Sequence, residues 1–372
     1  MKLVMITTYA TPKNMRRELL EAARARGHAV TVVAPEDPRL MSAPLAAIGA
    51  GYRQWNVHRT GIDPIADLAS AGRLLSILRD ERPDVVLIYQ IKAVLLGPAV
   101  AKLARTPHVV TLVNGLGAVF DEQGFGATWK AKLARRIYGV SLGRVDTIVF
   151  QNPDDPELLR TLGILPKGAD VRIVPGSGVD LEKLVPMRPP SAPTFTLMSR
   201  LVVSKGIREF ISAARTIRSR HPEARFKLVG QLEAENHPDG VKQGELDAWV
   251  AESLVEYLGF TDDVRGVLAA TTVFVLPSYY REGIPRTNLE ALAMGLPIVT
   301  TDWVGCRETV EDGVNGFLVP PKDVAALTDR MERYVDDPAL VAKHGAASRA
   351  LAERRFDIDH VNELMMQALH LR

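Results

Sequence analysis

Short apolar runs alternate with longer helical stretches along almost the whole chain, and this alternation restricts the fold more than any other feature. Residues 2–7 form an apolar run, 13–26 a helical pattern closed by Gly27, and 29–34 a second apolar run. Strands buried on both faces read as continuous apolar segments, and a helix between two of them marks a parallel crossover. The same rhythm predicts strands at 85–89, 109–113, 147–150 and 171–174, with helices over 64–80, 93–105, 128–143 and near 154–162. Met187 to Pro193 then interrupts it with three prolines, and such a stretch ends regular structure and marks a boundary.

The rhythm restarts after the break. Strands are expected at 194–198, 225–230, 255–258, 273–276, 297–300 and 316–319. Helices are expected over 206–220, 242–253, 262–269, 287–294, 306–312 and 322–336, with further helices from about 338 to 371. At 372 residues the chain exceeds what one core usually serves. The expectation is an α/β protein of two Rossmann-like, doubly wound domains, 1–187 and 188–356, facing a central cleft. Ligands of such sheets bind at the carboxyl ends of strands, which makes the cleft the default site.

Composition excludes several classes. The sequence is 47% hydrophobic with mean hydropathy near zero and has no run of 18 apolar residues, so no spanning helix is expected. No N-terminal secretory pattern is present, and one cysteine, Cys306, precludes an internal disulfide framework and suits a reducing cytoplasm. Aromatic residues are 6% and no basic run exists, which argues against nucleic acid. Residues 1–190 carry 25 Lys and Arg against 18 Asp and Glu, and the remainder 21 against 26. A basic front half suits an anionic partner. Within it Trp129, Lys130, Lys132, Arg135, Arg136 and Tyr138 make a basic, aromatic helix suited to an anionic membrane surface. The histidines are scattered without metal spacing, the one D-x-D, Asp357 to Asp359, opens the terminal helix, and no metal or cofactor is expected. Two G-x-G starts, at Gly115 and Gly176, carry Phe120 and Leu181 where a third glycine would complete a dinucleotide fingerprint.

The chemistry concentrates in Ser278–Glu290. Gly283 and Pro285 mark a loop, and Thr287 opens an apolar-periodic helix. Glu282 therefore belongs to the loop and Glu290 to the first helical turn, with backbone N–H groups of Gly283 and Ile284 between them. A helix start attracts phosphate, and carboxylates accept strong hydrogen bonds from sugar hydroxyls. The combination suits a nucleotide-sugar.

Further motifs carry a resemblance. Ser199 to Gly206 contains Arg200-x4-Lys205-Gly206, Gly259-Phe260-Thr261-Asp262-Asp263-Val264 forms a second loop, and Glu282 and Glu290 make E-x7-E. With Gly305–Glu308, Asp312–Pro320 and Lys322-Asp323, these resemble family 4 glycosyltransferases of the GT-B fold. Gln90-Ile91-Lys92, Gly115–Phe120, Phe150-Gln151-Asn152 and Pro175–Asp180 are similar to capsule-type members acting on undecaprenyl-diphosphate-linked sugars. The resemblance implies a retaining transferase moving a sugar, an N-acetylhexosamine, from a UDP-sugar to a polyprenyl-diphosphate-linked saccharide in surface glycan biosynthesis. It implies work in the cytoplasm, peripherally on the inner face of the plasma membrane, and a closing helix, about 357–372, packed back on the first domain. Arg200 and Lys205 would clamp the diphosphate, Phe260 would border the base and Gly283 and Ile284 the phosphates. Glu290 would hold the ribose, Glu282 the transferred sugar, Gly117 would let the chain approach the donor, and Lys92 would meet the acceptor. Asn114 stands where many members have histidine; it donates a hydrogen bond but carries no proton. Alternatives are a soluble acceptor, a UDP-sugar 2-epimerase, or a binding partner that has lost catalysis.

Overall fold

The computed structural model describes residues 1–11, 15–58, 63–120 and 128–371. These form two compact units, Met1–Ser177 with Asp359–Arg372, and Gly178–Ile358.

The first unit is built on seven strands: β1 Lys2–Ile6, β2 Ala29–Ala34, β3 Gly51–Gln54, β4 Val85–Tyr89, β5 His108–Val113, β6 Thr147–Phe150 and β7 Asp170–Ile173. Their order is β3-β2-β1-β4-β5-β6-β7, and every pairing is parallel. Side chains of one strand alternate between two cores. Leu3 and Met5 of β1 enter one, which also takes Val361, Met365 and Met366 of the closing helix Ile358–Ala368. Val4 and Ile6 enter the other, with Leu74, Leu78 and Tyr138. Burial on both faces is why the inner strands β1, β4, β5 and β6 have no polar alternation.

The second unit has six strands: β8 Thr194–Met198, β9 Arg225–Val229, β10 Glu256–Tyr257, β11 Val273–Leu276, β12 Ile298–Thr301 and β13 Gly316–Val319. They run parallel in the order β10-β9-β8-β11-β12-β13. The chain winds outward from β8 in one direction and from β11 in the other. The carboxyl ends of β8 and β11 are thus neighbours at the switch point, where such sheets receive ligands.

Several expectations need correction. The division falls between Ser177 and Gly178, ahead of the expected 187/188, because the intervening segment is tied to the second unit. Val179 N–H donates to Phe356 O at 2.8 Å, and the Arg349 guanidinium donates to the carbonyls of Leu184 at 2.8 Å and Leu181 at 3.2 Å. The helices expected from about 338 to 371 are Ala339–Arg355 and Ile358–Ala368, with the Val179–Asp357 bridge at their junction. The helix expected over 306–312 is only a 3-10 turn at Arg307–Thr309. Helix Pro38–Ala46 and strand β3 were not foreseen: the helix contains Pro44, and β3 is an edge strand with little burial. Of the helix expected over 13–26, Arg17–Ala25 forms, and residues 13 and 14 lie outside the described residues.

Candidate active site

The loop after β8 is shaped by one glycine. Gly206 has φ +78°, and a Cβ there would lie 2.1 Å from Pro277 O, so no other residue lets the two loops approach. Just before it, the 3-10 turn Val203–Lys205 directs Lys205 inward. The Lys205 side chain is 9% exposed and its ammonium pairs with the Glu282 carboxylate of the loop after β11. Ser278 Oγ donates to the same carboxylate oxygen at 3.2 Å, and the Tyr280 ring lies 5.5 Å from Nζ. A buried ammonium left unpaired would be costly, and the Glu282 carboxylate neutralises it.

The β11 loop is itself held rigidly. Tyr279 N–H donates to Ser204 O at 2.8 Å, and the Thr301 hydroxyl donates to Ser278 O. Ser204 in turn bonds the Asp239 carboxylate through its hydroxyl. Gly305, at φ +77°, passes so close to Gly283 O that a Cβ would fall 1.6 Å away. The Cys306 thiol is buried beneath the loop, and burial, with the Glu282 charge second, pushes it up to about 11. It is inert as a nucleophile at neutral pH.

Helix Arg286–Ala293 then starts after Pro285 with no side-chain cap. The backbone N–H groups of its first turn are the ones a helix cannot satisfy internally, and the helix dipole adds to their pull on an anion. Gly283 and Ile284 are buried at this entry. Glu290 sits one turn in, 8% exposed, accepting from Arg286 Nε at 3.0 Å. Burial pushes its carboxyl above the ordinary range, and the Arg286 charge opposes this only in part.

Arg200 and Phe260 occupy the rim. Arg200 is half exposed, and its Nη1 meets Glu233 Oε1 at 3.0 Å. Phe260 is 69% exposed, following Gly259, whose carbonyl accepts from Gly230 N–H at 2.9 Å.

In the first unit, Asn114 lies exposed directly after β5, and Gly117 begins the 3-10 turn Gly117–Phe120 with φ +56°. Lys92 is not an open cation. It is buried in the first turn of helix Ile91–Leu103, with its ammonium 2.7 Å from the Asp67 carboxylate. Contact with an acceptor diphosphate would require that pair to open.

The structure therefore brings Lys205, Glu282, Gly283, Ile284 and Glu290 together around the adjoining ends of β8 and β11, with Arg200 on the loop after β8. Sequence reading missed Glu233 and Asp239, and gave no role to Ser278 and Arg286 within the segment it singled out. Only Arg286 had a signal, its i,i+4 spacing to Glu290.

Comparison with known proteins bears on family and fold. Residues 12–176 match the glycosyl transferase 4-like domain, and residues 192–337 match the glycosyl transferases group 1 domain. The chain is 26% identical over 350 residues to the N,N′-diacetylbacillosaminyl-diphospho-undecaprenol alpha-1,3-N-acetylgalactosaminyltransferase of Campylobacter jejuni, covering 90% of this chain and 89% of that one. It is 29% identical over 298 residues to the UDP-Gal:alpha-D-GlcNAc-diphosphoundecaprenol alpha-1,3-galactosyltransferase of Escherichia coli, covering 75% and 73%. Among solved structures, Anabaena HepE in complex with UDP superposes with a TM-score of 0.80 at 19% identity over 100% of both chains. Sucrose-phosphate synthase from Thermosynechococcus elongatus gives 0.80 at 21% identity over 98% and 97%.

Proposed function

Since the chain belongs to the glycosyltransferases of GT-B fold, with a 4-like domain followed by a group 1 domain, we propose that it is a retaining family 4 enzyme. It moves a sugar, an N-acetylhexosamine, from a UDP-sugar to a polyprenyl-diphosphate-linked saccharide. The observation that carries this reading is the buried Lys205 ammonium held by Glu282 beside an uncapped helix start. Together these favour a diphosphate with a sugar attached. The names of the Campylobacter and Escherichia relatives support the lipid-diphosphate acceptor, and HepE with UDP supports a uridine nucleotide.

In this mechanism Arg200, Lys205 and the N–H groups of Gly283 and Ile284 meet the donor diphosphate. As the bond from the sugar C1 to the β-phosphate oxygen breaks, negative charge grows on that phosphate, and fixed cations stabilise it more in the transition state than in the ground state. Glu282 holds a hydroxyl of the transferred sugar, Glu290 the ribose hydroxyls, and Phe260 borders the base. Asn114 donates to the sugar and Gly117 keeps that loop close to the donor. The acceptor hydroxyl forms its bond to C1 on the face the phosphate leaves and gives its proton to the departing phosphate oxygen. Configuration is thereby retained without a protein nucleophile. Lys92, freed from Asp67, is the candidate contact to the acceptor diphosphate. A lipid-anchored acceptor puts the work peripherally at the inner face of the plasma membrane.

Incubation with a panel of UDP-sugars and an undecaprenyl-diphosphate-linked saccharide tests this. An α-linked product from an α-linked donor is expected. Conversion of the UDP-sugar into its 2-epimer without transfer would replace the reading.

A further inference from the structure

Helix Trp129–Leu142 carries apolar side chains on its exposed face as well as on its buried one. Its buried face is Ala131, Ala134, Tyr138, Ser141 and Leu142. Ser141 Oγ donates to Leu95 O at 2.9 Å, and Tyr138 packs edge-on against Phe120. The opposite face, which a solvated helix makes polar, is apolar: Trp129 is 69% exposed, Leu133 42%, Ile137 38% and Val140 59%. At about 100° per residue these four side chains fall within a sector of about 80°.

Cations border that sector on both sides, Lys130 on one and Lys132 with Arg136 on the other. None of the three has an acidic partner among the described residues. No aspartate or glutamate occurs between Thr128 and Val145. Lys132 and Arg136 also line a groove of about 1320 Å³ with Lys167, which likewise has no acidic partner among the described residues.

We propose that this face of helix Trp129–Leu142 is a docking surface for an anionic lipid bilayer, with the apolar ridge entering the headgroup layer and Lys132, Arg136 and Lys167 meeting lipid phosphates. Its relevance to catalysis rests on the lipid-linked acceptor proposed above. Two features select a bilayer over another protein. An apolar ridge edged by cations matches the interfacial boundary of anionic lipids, where basic side chains add to apolar burial. A second copy meeting the face about a two-fold axis would press the same ridge on itself and bring like-charged rims together. Among the described residues no helix is long and apolar enough to cross a membrane, and the proposed attachment needs none.

Co-sedimentation with phosphatidylcholine vesicles, with and without phosphatidylglycerol, tests the surface. The vesicles contain no donor or polyprenyl lipid, so the outcome is independent of transfer. The protein should bind the anionic vesicles preferentially and lose binding as salt rises. The double variant Lys132→Glu/Arg136→Glu should partition on the order of 10-fold or more weakly, with unchanged circular dichroism and melting. Trp129→Ser/Leu133→Ser should lose the fraction that resists salt. Should that variant unfold, Trp129→Phe decides instead, by abolishing a blue shift of tryptophan emission on binding. Equal sedimentation with both vesicle types, or a charge-reversed variant that binds like the parent, overturns the proposal. So does a dimer in analytical ultracentrifugation that the serine variant dissociates. Transfer to a detergent-dispersed acceptor without vesicle binding sinks this surface alone; vesicle binding without transfer sinks the enzymatic reading alone.

Discussion

The buried ammonium of Lys205 and the partly exposed carboxylate of Glu282, on loops after β8 and β11, form one pair, with Ser278 Oγ 3.2 Å from the shared oxygen. The pair does two jobs. It ties together two adjacent strand ends, and it stores a cation where a diphosphate is expected to arrive. Removing one member strands the other's charge in a site of low exposure, at a cost of about 3–5 kcal/mol. Lys205→Ala should therefore both lower the melting temperature and reduce kcat/KM on the order of 10²-fold. Lys205→Met/Glu282→Met should be more stable than the two single effects summed, yet equally inactive. Thermal unfolding and initial rates of Lys205→Met, Glu282→Met and the double variant, alongside Lys205→Ala, check this; additive stability losses would mean that the pair is not coupled.

Glu282 has a second consequence. If it holds a hydroxyl of the transferred sugar, Glu282→Ala leaves the nucleotide contacts of Glu290 intact and removes the contact that distinguishes one donor sugar from another. The ratio of kcat/KM between two UDP-sugars should fall on the order of 10-fold or more, since a site built to bond a hydroxyl rejects analogues lacking it. UDP affinity, read by calorimetry, should change much less. An unaltered donor ratio would remove Glu282 from sugar recognition.

The close approach at Gly206 makes a prediction about architecture. Gly206→Ala puts a methyl group into Pro277 O and imposes a positive φ on alanine. The loops after β8 and β11 must separate, and Lys205 with them. Stability should drop by about 1–3 kcal/mol from the backbone strain alone, and donor affinity should fall with it. Gly27→Ala, at φ +80° with open space around its Cβ, is the control. It should lose stability of similar origin while leaving donor binding unchanged.

These relationships were legible to different degrees. Runs such as Val85–Tyr89 and Val273–Leu276 are apolar on both faces because helices cover both sides, so the strands of both sheets could be read with few errors. Strand β3 could not, since an edge strand with exposed side chains has no apolar pattern. The stretch 306–312 misled because local side-chain bonds compete with the helix. Thr309 Oγ1 donates to Cys306 O at 2.7 Å, and Asn315 Oδ1 accepts from Glu311 N–H at 2.7 Å. At the site, the spacing of Glu282 and Glu290 was visible in one segment. The partners that hold Arg200 and Lys92, Glu233 and Asp67, come from distant loops and helices, and nothing local announces them.

Glu290 links the site to pH. Its folded carboxyl is raised by burial, with Arg286 opposing, so the folded chain holds that proton more tightly than the unfolded chain does. Its contribution to stability is fully present below the ordinary glutamate value and is lost as pH rises through the raised folded value. Glu290→Gln has no charge to bury and should escape that loss. The variant's melting temperature should gain on the parent's as pH is raised through this window, with little difference below it, while UDP binding weakens. Melting curves across the acid range decide; a constant offset between the two proteins would mean that the burial of Glu290 does not govern its titration.

Arg200 and Glu233 pose the opposite case, an exposed pair. Arg200 is 50% exposed and lies 3.0 Å from Glu233 Oε1, so the contact adds at most about 1 kcal/mol to folding. Its effect on binding is larger in principle, because the same guanidinium is assigned to the diphosphate and cannot serve both fully. Glu233→Gln should leave melting nearly unchanged and tighten UDP by a few-fold, within the roughly fivefold that 1 kcal/mol allows. Arg200→Ala should weaken UDP and lower the transfer rate on the order of 10²-fold. In the double variant, the gain from Glu233→Gln should vanish, since the charge it competed for is gone. Calorimetric titration of UDP into the four proteins gives the coupling directly. A weaker affinity in Glu233→Gln alone would show that Glu233 positions Arg200 for the donor instead of competing with it.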